Sequence, residues 1–272
     1  MKTSFYKIIG KKGKGCKIFF TDRRMDEFRP QVYGIFSIMD IVDGSYSPKL
    51  EDFATGRYQE IIDNIKNIKR KTEDCFHKVI AARYHLALIQ QEISNCPSVK
   101  DLKNYSEMVA HKMCNQAELK NDVLVYETEA FLFQTRTNLD ILMQLLKYIP
   151  EYKYLDDKNK KDTESFIFDN KIKEKNTTAK MRLNNHTGVA NFIDDQIVDW
   201  IKELNEMRKE IAHRSGLKGF TNFVFDSGSE KVIHPKMPNG EKVDEYCIMI
   251  FDKLLALYKK VFQDFILPKL KF

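Results

Sequence analysis

The chain is poor in the residues and patterns that define several common protein classes. Its 272 residues include only 11 Gly, 7 Pro and 1 Trp, and a chain short of turn residues but rich in Lys, Leu, Ile and Glu favours helices over a β-sandwich. No apolar run approaches the roughly eighteen residues of a membrane-spanning helix. The Lys-rich N-terminus is not followed by the apolar block of a signal peptide. We therefore expect a cytoplasmic protein that does not associate with a membrane.

Sequence patterns for disulfides, metals and nucleotides are also missing. The cysteines form no C-x-x-C pair, which argues against a zinc site and a disulfide framework; they are Cys16, Cys75, Cys96, Cys114 and Cys247. No phosphate-binding loop, dinucleotide fingerprint, G-x-S-x-G or H-E-x-x-H is present. His77, His85 and His111 lie in helical patterns and are interpreted as surface or core-edge residues, and His234, before Pro235, is interpreted as structural. We expect no metal and no cofactor.

The charge balance is mildly basic. The chain has 45 Lys and Arg against 39 Asp and Glu, a net charge of +6 and a pI of about 8.8. This balance permits a polyanionic partner such as RNA without requiring one, because the acidic residues are interspersed with the basic ones.

Hydrophobic periodicity divides the chain into an N-terminal extension, 1–52, and a helical domain, 53–272. The extension contains short apolar runs typical of strands. In the domain the period is helical. Helices are predicted over 53–93, 99–120, 123–149, 162–175, 189–213 and 243–265, the last of them stopped by Pro268, with a β-hairpin at 221–233. The predicted fold is all-α: an antiparallel bundle of four to five long helices with a small β-hairpin and a short, irregular or β N-terminal segment.

The chemistry of Arg208 and His213, near the end of helix 189–213, favours phosphate as a substrate. Arg offers a permanently charged fork to phosphate oxygens, and His exchanges a proton near neutral pH. On an ideal helix the two residues lie about 140° apart, so one helix cannot present both to one phosphate. Either the helix loosens near Ser215, or two copies assemble the site across a twofold axis, which we favour. The alternative is structural: Arg208 extends from the edge of the core and His213 stabilises the helix end.

Arg136, on helix 123–149, is a third candidate. It lies four residues before Asp140, the spacing of a surface ion pair worth a few tenths of a kcal/mol. The functional alternative is that Arg136 lines the same cleft as Arg208.

Two of these helices resemble the HEPN superfamily (higher eukaryotes and prokaryotes nucleotide-binding domains). Residues 127–140 are similar to a central helix of those bundles, and residues 201–214 look like the helix that carries the superfamily's R-x(4–6)-H motif. Arg208 and His213 match its two fixed positions. The residue after the motif Arg is often Asn or another small polar residue in active members, whereas this chain has Lys209.

The resemblance implies a function and partners. Many HEPN proteins are metal-independent endoribonucleases that act as homodimers, and they occur as toxins, antiphage effectors and RNA-processing factors. The expected catalytic residues are then Arg208 and His213, with Lys209, Arg214 and Arg136 binding RNA, and a 2′,3′-cyclic phosphate is the expected product. An antitoxin protein is a possible further partner. The alternative is a noncatalytic HEPN-like module that binds nucleic acid, a nucleotide or a protein.

Overall fold

Long helices make up most of the described chain. The computed structural model describes residues 4–7, 18–21, 58–95, 116–120, 122–148, 187–213, 221–226, 229–232 and 234–270. Side chains are described only within 62–95, 122–148, 188–209 and 234–268. Among these residues, no helix combines the length and the apolar character needed to cross a membrane.

Helices α1 (Tyr58–Ser94) and α2 (Asp122–Lys147) lie side by side and run antiparallel. Their direction follows from three polar contacts in which rising numbers on α1 meet falling numbers on α2. The contacts are Lys71 Nζ to Gln144 Oε1 at 2.7 Å, Lys78 Nζ to Gln134 Oε1 at 3.1 Å, and His85 Nδ1 to Glu127 Oε2 at 2.7 Å. The predicted core stripe of α2 is confirmed, since all eight of its members are buried: Leu124, Thr128, Phe131, Leu132, Thr135, Leu139, Leu142 and Leu146.

The helix predicted at 189–213 is present but is not a uniform α-helix. It consists of α3 (Thr187–Gln196), a π-helical turn (Ile197–Ile201) and α4 (Lys202–His213). The wider turn is shown by the Lys202 amide, which donates to the carbonyl of Ile197. Six side chains of the predicted apolar face are buried: Ile193, Ile197, Trp200, Ile201, Leu204 and Met207.

Helix α5 (Val243–Lys260) completes the described core. Acidic residues occupy its first turn and Lys259 and Lys260 its last turn, as the helix dipole favours. The buried Tyr258 hydroxyl donates to the backbone carbonyl oxygen of Asn138 at 3.2 Å and lies 2.9 Å from its Oδ1, which ties α5 to α2. The chain continues through a second π-helical segment (Val261–Ile266) into α6 (Leu267–Leu270).

Short strands account for the rest of the assigned structure. Strands β1 (Ser4–Lys7) and β2 (Ile18–Thr21) pair antiparallel. Strands β3 (Gln116–Lys120), β4 (Thr221–Asp226) and β5 (Ser229–Val232) pair antiparallel in that order. Their side chains lie outside the described set, so the strands carry no argument about the site.

Two predicted boundaries are wrong. The end of the predicted helix 99–120 is strand β3, because its backbone pairs with β4 across a long separation in sequence, which local propensity does not register. Pro268 does not stop the last helix, since the chain passes through it into α6 directly after the π-helical segment. A widened turn leaves room for a proline ring that would clash with the preceding turn of a regular α-helix. The predicted helix 162–175 and the boundary at 52 lie outside the described residues.

Candidate functional site

Arg136 is a buried charge that joins α2 to α4. The residue is only 5 % exposed, and its Nη1 donates to Oδ1 of Asn205 at 3.0 Å. Its Nη2 lies 3.0 Å from Oδ1 of Asp140, one turn further along α2. The predicted ion pair with Asp140 is therefore present, but the expectation that it lies on the surface is wrong. The wheel of α2 alone did not show that Asn205, on another helix, supplies an acceptor for the guanidinium.

Asp140 lies at the edge of the α2–α4 contact. One of its carboxylate oxygens is buried, and the side chain as a whole is partly exposed to solvent. Its Oδ1 is buried and makes an ion-pair contact with Arg136 rather than a well-aligned hydrogen bond within the described structure. The side chain as a whole is 37 % exposed. Burial raises the pKa of Asp140, and the charges of Arg136 and Arg208 oppose that rise. Asp140 is thus close enough to both guanidinium groups to interact with each.

Arg208 is held against an aromatic ring. Its Cζ lies 5.8 Å from the centroid of the Phe133 ring, a cation–π distance. Its Nε is buried and has no hydrogen-bond partner among the described residues, while the residue as a whole is half-buried. The structure therefore brings Arg136 and Arg208 to the same α2–α4 contact, where Asp140 interacts with both.

His213 is the last residue of α4. Its side chain lies outside the described residues, but the backbone is α-helical from Lys202 through His213. A regular α-helix separates the Cα positions of Arg208 and His213 by about 140° around the axis and about 7.5 Å along it. The helix does not unwind between Arg208 and His213. The two residues therefore lie on different sides of the helix, as their spacing predicts.

Lys209 and Arg214 are the two remaining candidates. Lys209 is exposed, and its Nζ lies 3.2 Å from Oε1 of Glu206, three residues earlier on the same helix. An exposed pair of this kind contributes little to stability and separates readily, so Lys209 is accessible to an anion. Arg214 lies outside the described residues.

Two histidine–carboxylate pairs are present that the sequence did not predict. His85 Nδ1 lies 2.7 Å from Oε2 of Glu127, on a different helix and 42 residues away. His234 Nε2 lies 2.8 Å from Oδ1 of Asp244, in the first turn of α5. Helical spacing carries no signal for the first pair because its members meet only through the packing of α1 on α2. Within the described part of the chain, no three His, Cys, Asp or Glu side chains are grouped to hold a metal ion.

Asn205 and Phe133 were also missed, for different reasons. Asn205 is a polar residue among the buried positions of α4, three residues before Arg208, and such a residue indicates a buried polar partner. Phe133 carried no signal, because a single aromatic residue on an amphipathic helix is ordinarily part of the core.

Comparison of the chain with protein-family models, with curated proteins and with solved structures finds no match in any of the three. The resemblance to HEPN proteins therefore depends on the two helices 127–140 and 201–214 alone.

Proposed function

We propose that this protein is a metal-independent endoribonuclease of the HEPN type, built as an antiparallel helical bundle. The observation that carries the proposal is the placement of Arg208. Its guanidinium is held against Phe133 at the α2–α4 contact, on the same helix as His213, and the residue is half-buried rather than enclosed. A positioned guanidinium on a partly exposed residue is suited to the oxygens of a phosphate.

The proposed reaction is an in-line attack within one RNA strand. The ribose 2′-oxygen forms a bond to phosphorus while its proton is removed, and the bond from phosphorus to the 5′-oxygen breaks as that oxygen takes up a proton. His213 transfers one of these protons, and Arg208 stabilises the charge that develops on the phosphorane oxygens. The products are a 2′,3′-cyclic phosphate and a 5′-hydroxyl end. Arg136, Lys209 and Arg214 are the proposed RNA-binding residues.

The divergence of Arg208 and His213 on a continuous helix supports a homodimeric site. In a twofold arrangement, Arg208 of one copy and His213 of the other face the same phosphate. Within this proposal the protein acts in the cytoplasm as a toxin or antiphage effector, and an antitoxin protein is a further proposed partner.

A second candidate function is a noncatalytic module that binds nucleic acid, a nucleotide or a protein through the same surface. The observation that favours it is the position of Asp140, whose carboxylate interacts with both Arg136 and Arg208. A carboxylate beside the two guanidinium groups offsets part of the charge available to a transition state.

Incubation of the full chain with structured and unstructured RNAs in EDTA, followed by analysis of the fragment ends, tests the proposal. Cyclic-phosphate ends are expected from the wild type and are expected to be lost in Arg208→Ala and His213→Ala. Arg70→Ala and His77→Ala are matched controls on α1 that are expected to retain cleavage. Cleavage that needs a divalent ion, or that persists in both site variants, contradicts the proposal. Binding without products supports the noncatalytic alternative.

A further inference from the structure

Two exposed aromatic rings share one face of α2. Tyr126 is 65 % exposed and Phe133 is 39 % exposed, and both belong to the small set of large apolar side chains that the described structure leaves exposed. Seven residues of α-helix place them about 20° apart around the axis and about 10.5 Å apart along it. Isolated exposed apolar residues need no explanation, but two aligned rings on one helix form a surface.

A cation lies at one end of this surface. The Arg208 guanidinium is 5.8 Å from the Phe133 centroid, and its nearby carboxylate, Asp140, is shared with Arg136. The surface therefore presents two exposed aromatic rings together with a guanidinium whose charge is only partly balanced within the described structure.

The surface follows the part of α4 that carries the motif. Asn205 on α4 contacts Arg136 on α2, and Arg208 contacts Phe133, so rising numbers on α4 meet falling numbers on α2. The two helices are antiparallel at this contact, and α4 advances from Arg208 to His213 in the direction that leads along α2 from Phe133 to Tyr126.

We infer that Tyr126, Phe133 and Arg208 form a stacking surface for single-stranded RNA. This inference rests on the proposed function and names its substrate class. Unpaired bases stack on aromatic side chains, and the axial rise of about 10.5 Å between Tyr126 and Phe133 corresponds to about three base steps of roughly 3.4 Å. The adjacent guanidinium binds the phosphate backbone. Duplex RNA hides its base faces and does not fit this arrangement.

The same chemistry disfavours an apolar protein partner. A protein surface that covers Phe133 also covers the Arg208 guanidinium, and burying a cation whose charge is balanced only in part, by an Asp140 shared with Arg136, is unfavourable. An RNA strand supplies a base for the ring and an anion for the guanidinium at the same time.

Fluorescence anisotropy of labelled oligouridine and oligoadenosine tests the inference, with the full chain carrying His213→Ala so that the RNA stays intact. Tyr126→Ala and Phe133→Leu are each expected to weaken binding by about 5- to 150-fold, the range measured for single stacking residues. Tyr126→Phe keeps the ring and is expected to bind like the parent. Val198→Ala, at an exposed apolar position in the π-helical turn rather than on α2, is the matched control. The affinity for an RNA duplex of the same length is expected to be the same in the ring variants and in the parent.

The ring variants decide the outcome independently of catalysis. Unchanged binding by Tyr126→Ala, whose highly exposed ring contributes little to packing, overturns the stacking surface even where the wild type cleaves RNA. Ring-dependent binding by a chain that never cleaves supports the stacking surface and contradicts the proposed catalysis. Sedimentation that shows Tyr126→Ala dissociating a homodimer, with RNA affinity unaltered, assigns this face to self-association and overturns the inference.

Discussion

Arg136 and Asn205 are expected to be energetically coupled, because each satisfies the other inside the α2–α4 contact. Asn205→Ala removes an acceptor 3.0 Å from a nearly fully buried guanidinium and is expected to lower the free energy of unfolding by about 2 kcal/mol, as for hydrogen bonds to charged groups. Arg136→Met is expected to cost about 3 kcal/mol, since it removes this donor and also leaves Asp140 without the guanidinium that lies 3.0 Å from its Oδ1. The double variant is expected to lose about 3.5 kcal/mol rather than the additive value of about 5 kcal/mol, a coupling of about 1.5 kcal/mol.

Urea unfolding measures this coupling directly. Trp200, the single Trp of the chain, is 1 % exposed and lies in the π-helical turn that precedes α4, so its fluorescence reports on the helix under test. The pair Lys253 and Asp199, with 2.9 Å between Nζ and Oδ2 in a partly exposed setting, is a matched control. It is expected to couple by less than about 0.5 kcal/mol. A coupling for Arg136 and Asn205 that is no larger than the control refutes the argument that the buried contact joins the two helices.

Three further outcomes follow from buried groups. Burial raises the pKa of Asp140 in the folded protein, so the folded state binds more protons at this carboxyl than the unfolded state. The stabilisation that results is fully present below the ordinary pKa of 3.8. It is lost as the pH rises through the raised pKa of the folded state. Urea titrations over that pH range should show that the free energy of unfolding of the wild type falls with pH relative to that of Asp140→Asn. A difference in free energy that stays constant with pH contradicts the raised pKa of Asp140. Tyr258→Phe removes the hydroxyl contacts with Asn138 and is expected to cost about 1–2 kcal/mol in the same assay; a neutral effect contradicts it. Burial raises the pKa of Cys75 to about 12 and also raises that of Cys247, so mass spectrometry should find both thiols unlabelled by iodoacetamide until the protein unfolds.

Helix positions were predictable because their signal is local. The apolar spacing of 123–149 predicted both the bounds of α2 and its buried stripe, and the face of 189–213 was predicted with equal success. The π-helical turn was not predicted, because a helical wheel assumes 3.6 residues per turn throughout and cannot represent a wider turn. Strand β3 was missed because pairing with β4 is a contact between distant parts of the chain.

The candidate site was predictable only in part. The residue types of Arg208 and His213, and their separation on one helix, follow from the sequence. The burial of Arg136 does not, since it depends on Asn205 from another helix. The ring beneath Arg208 depends likewise on the packing of α2 against α4. Contacts between helices are set by tertiary packing, and no single helix encodes them.

The most direct test of the account is complementation between two inactive variants. Arg208→Ala and His213→Ala are unfolded together, refolded as a mixture and assayed for cyclic-phosphate ends in EDTA. In a site shared across a twofold axis, each mixed dimer regains one intact pair of Arg208 and His213, so about one quarter of wild-type activity is expected. If the wild type cleaves RNA but the mixture stays inactive, the site lies within one chain and the twofold arrangement is wrong. If the wild type itself produces no cyclic-phosphate ends, the endoribonuclease proposal is contradicted.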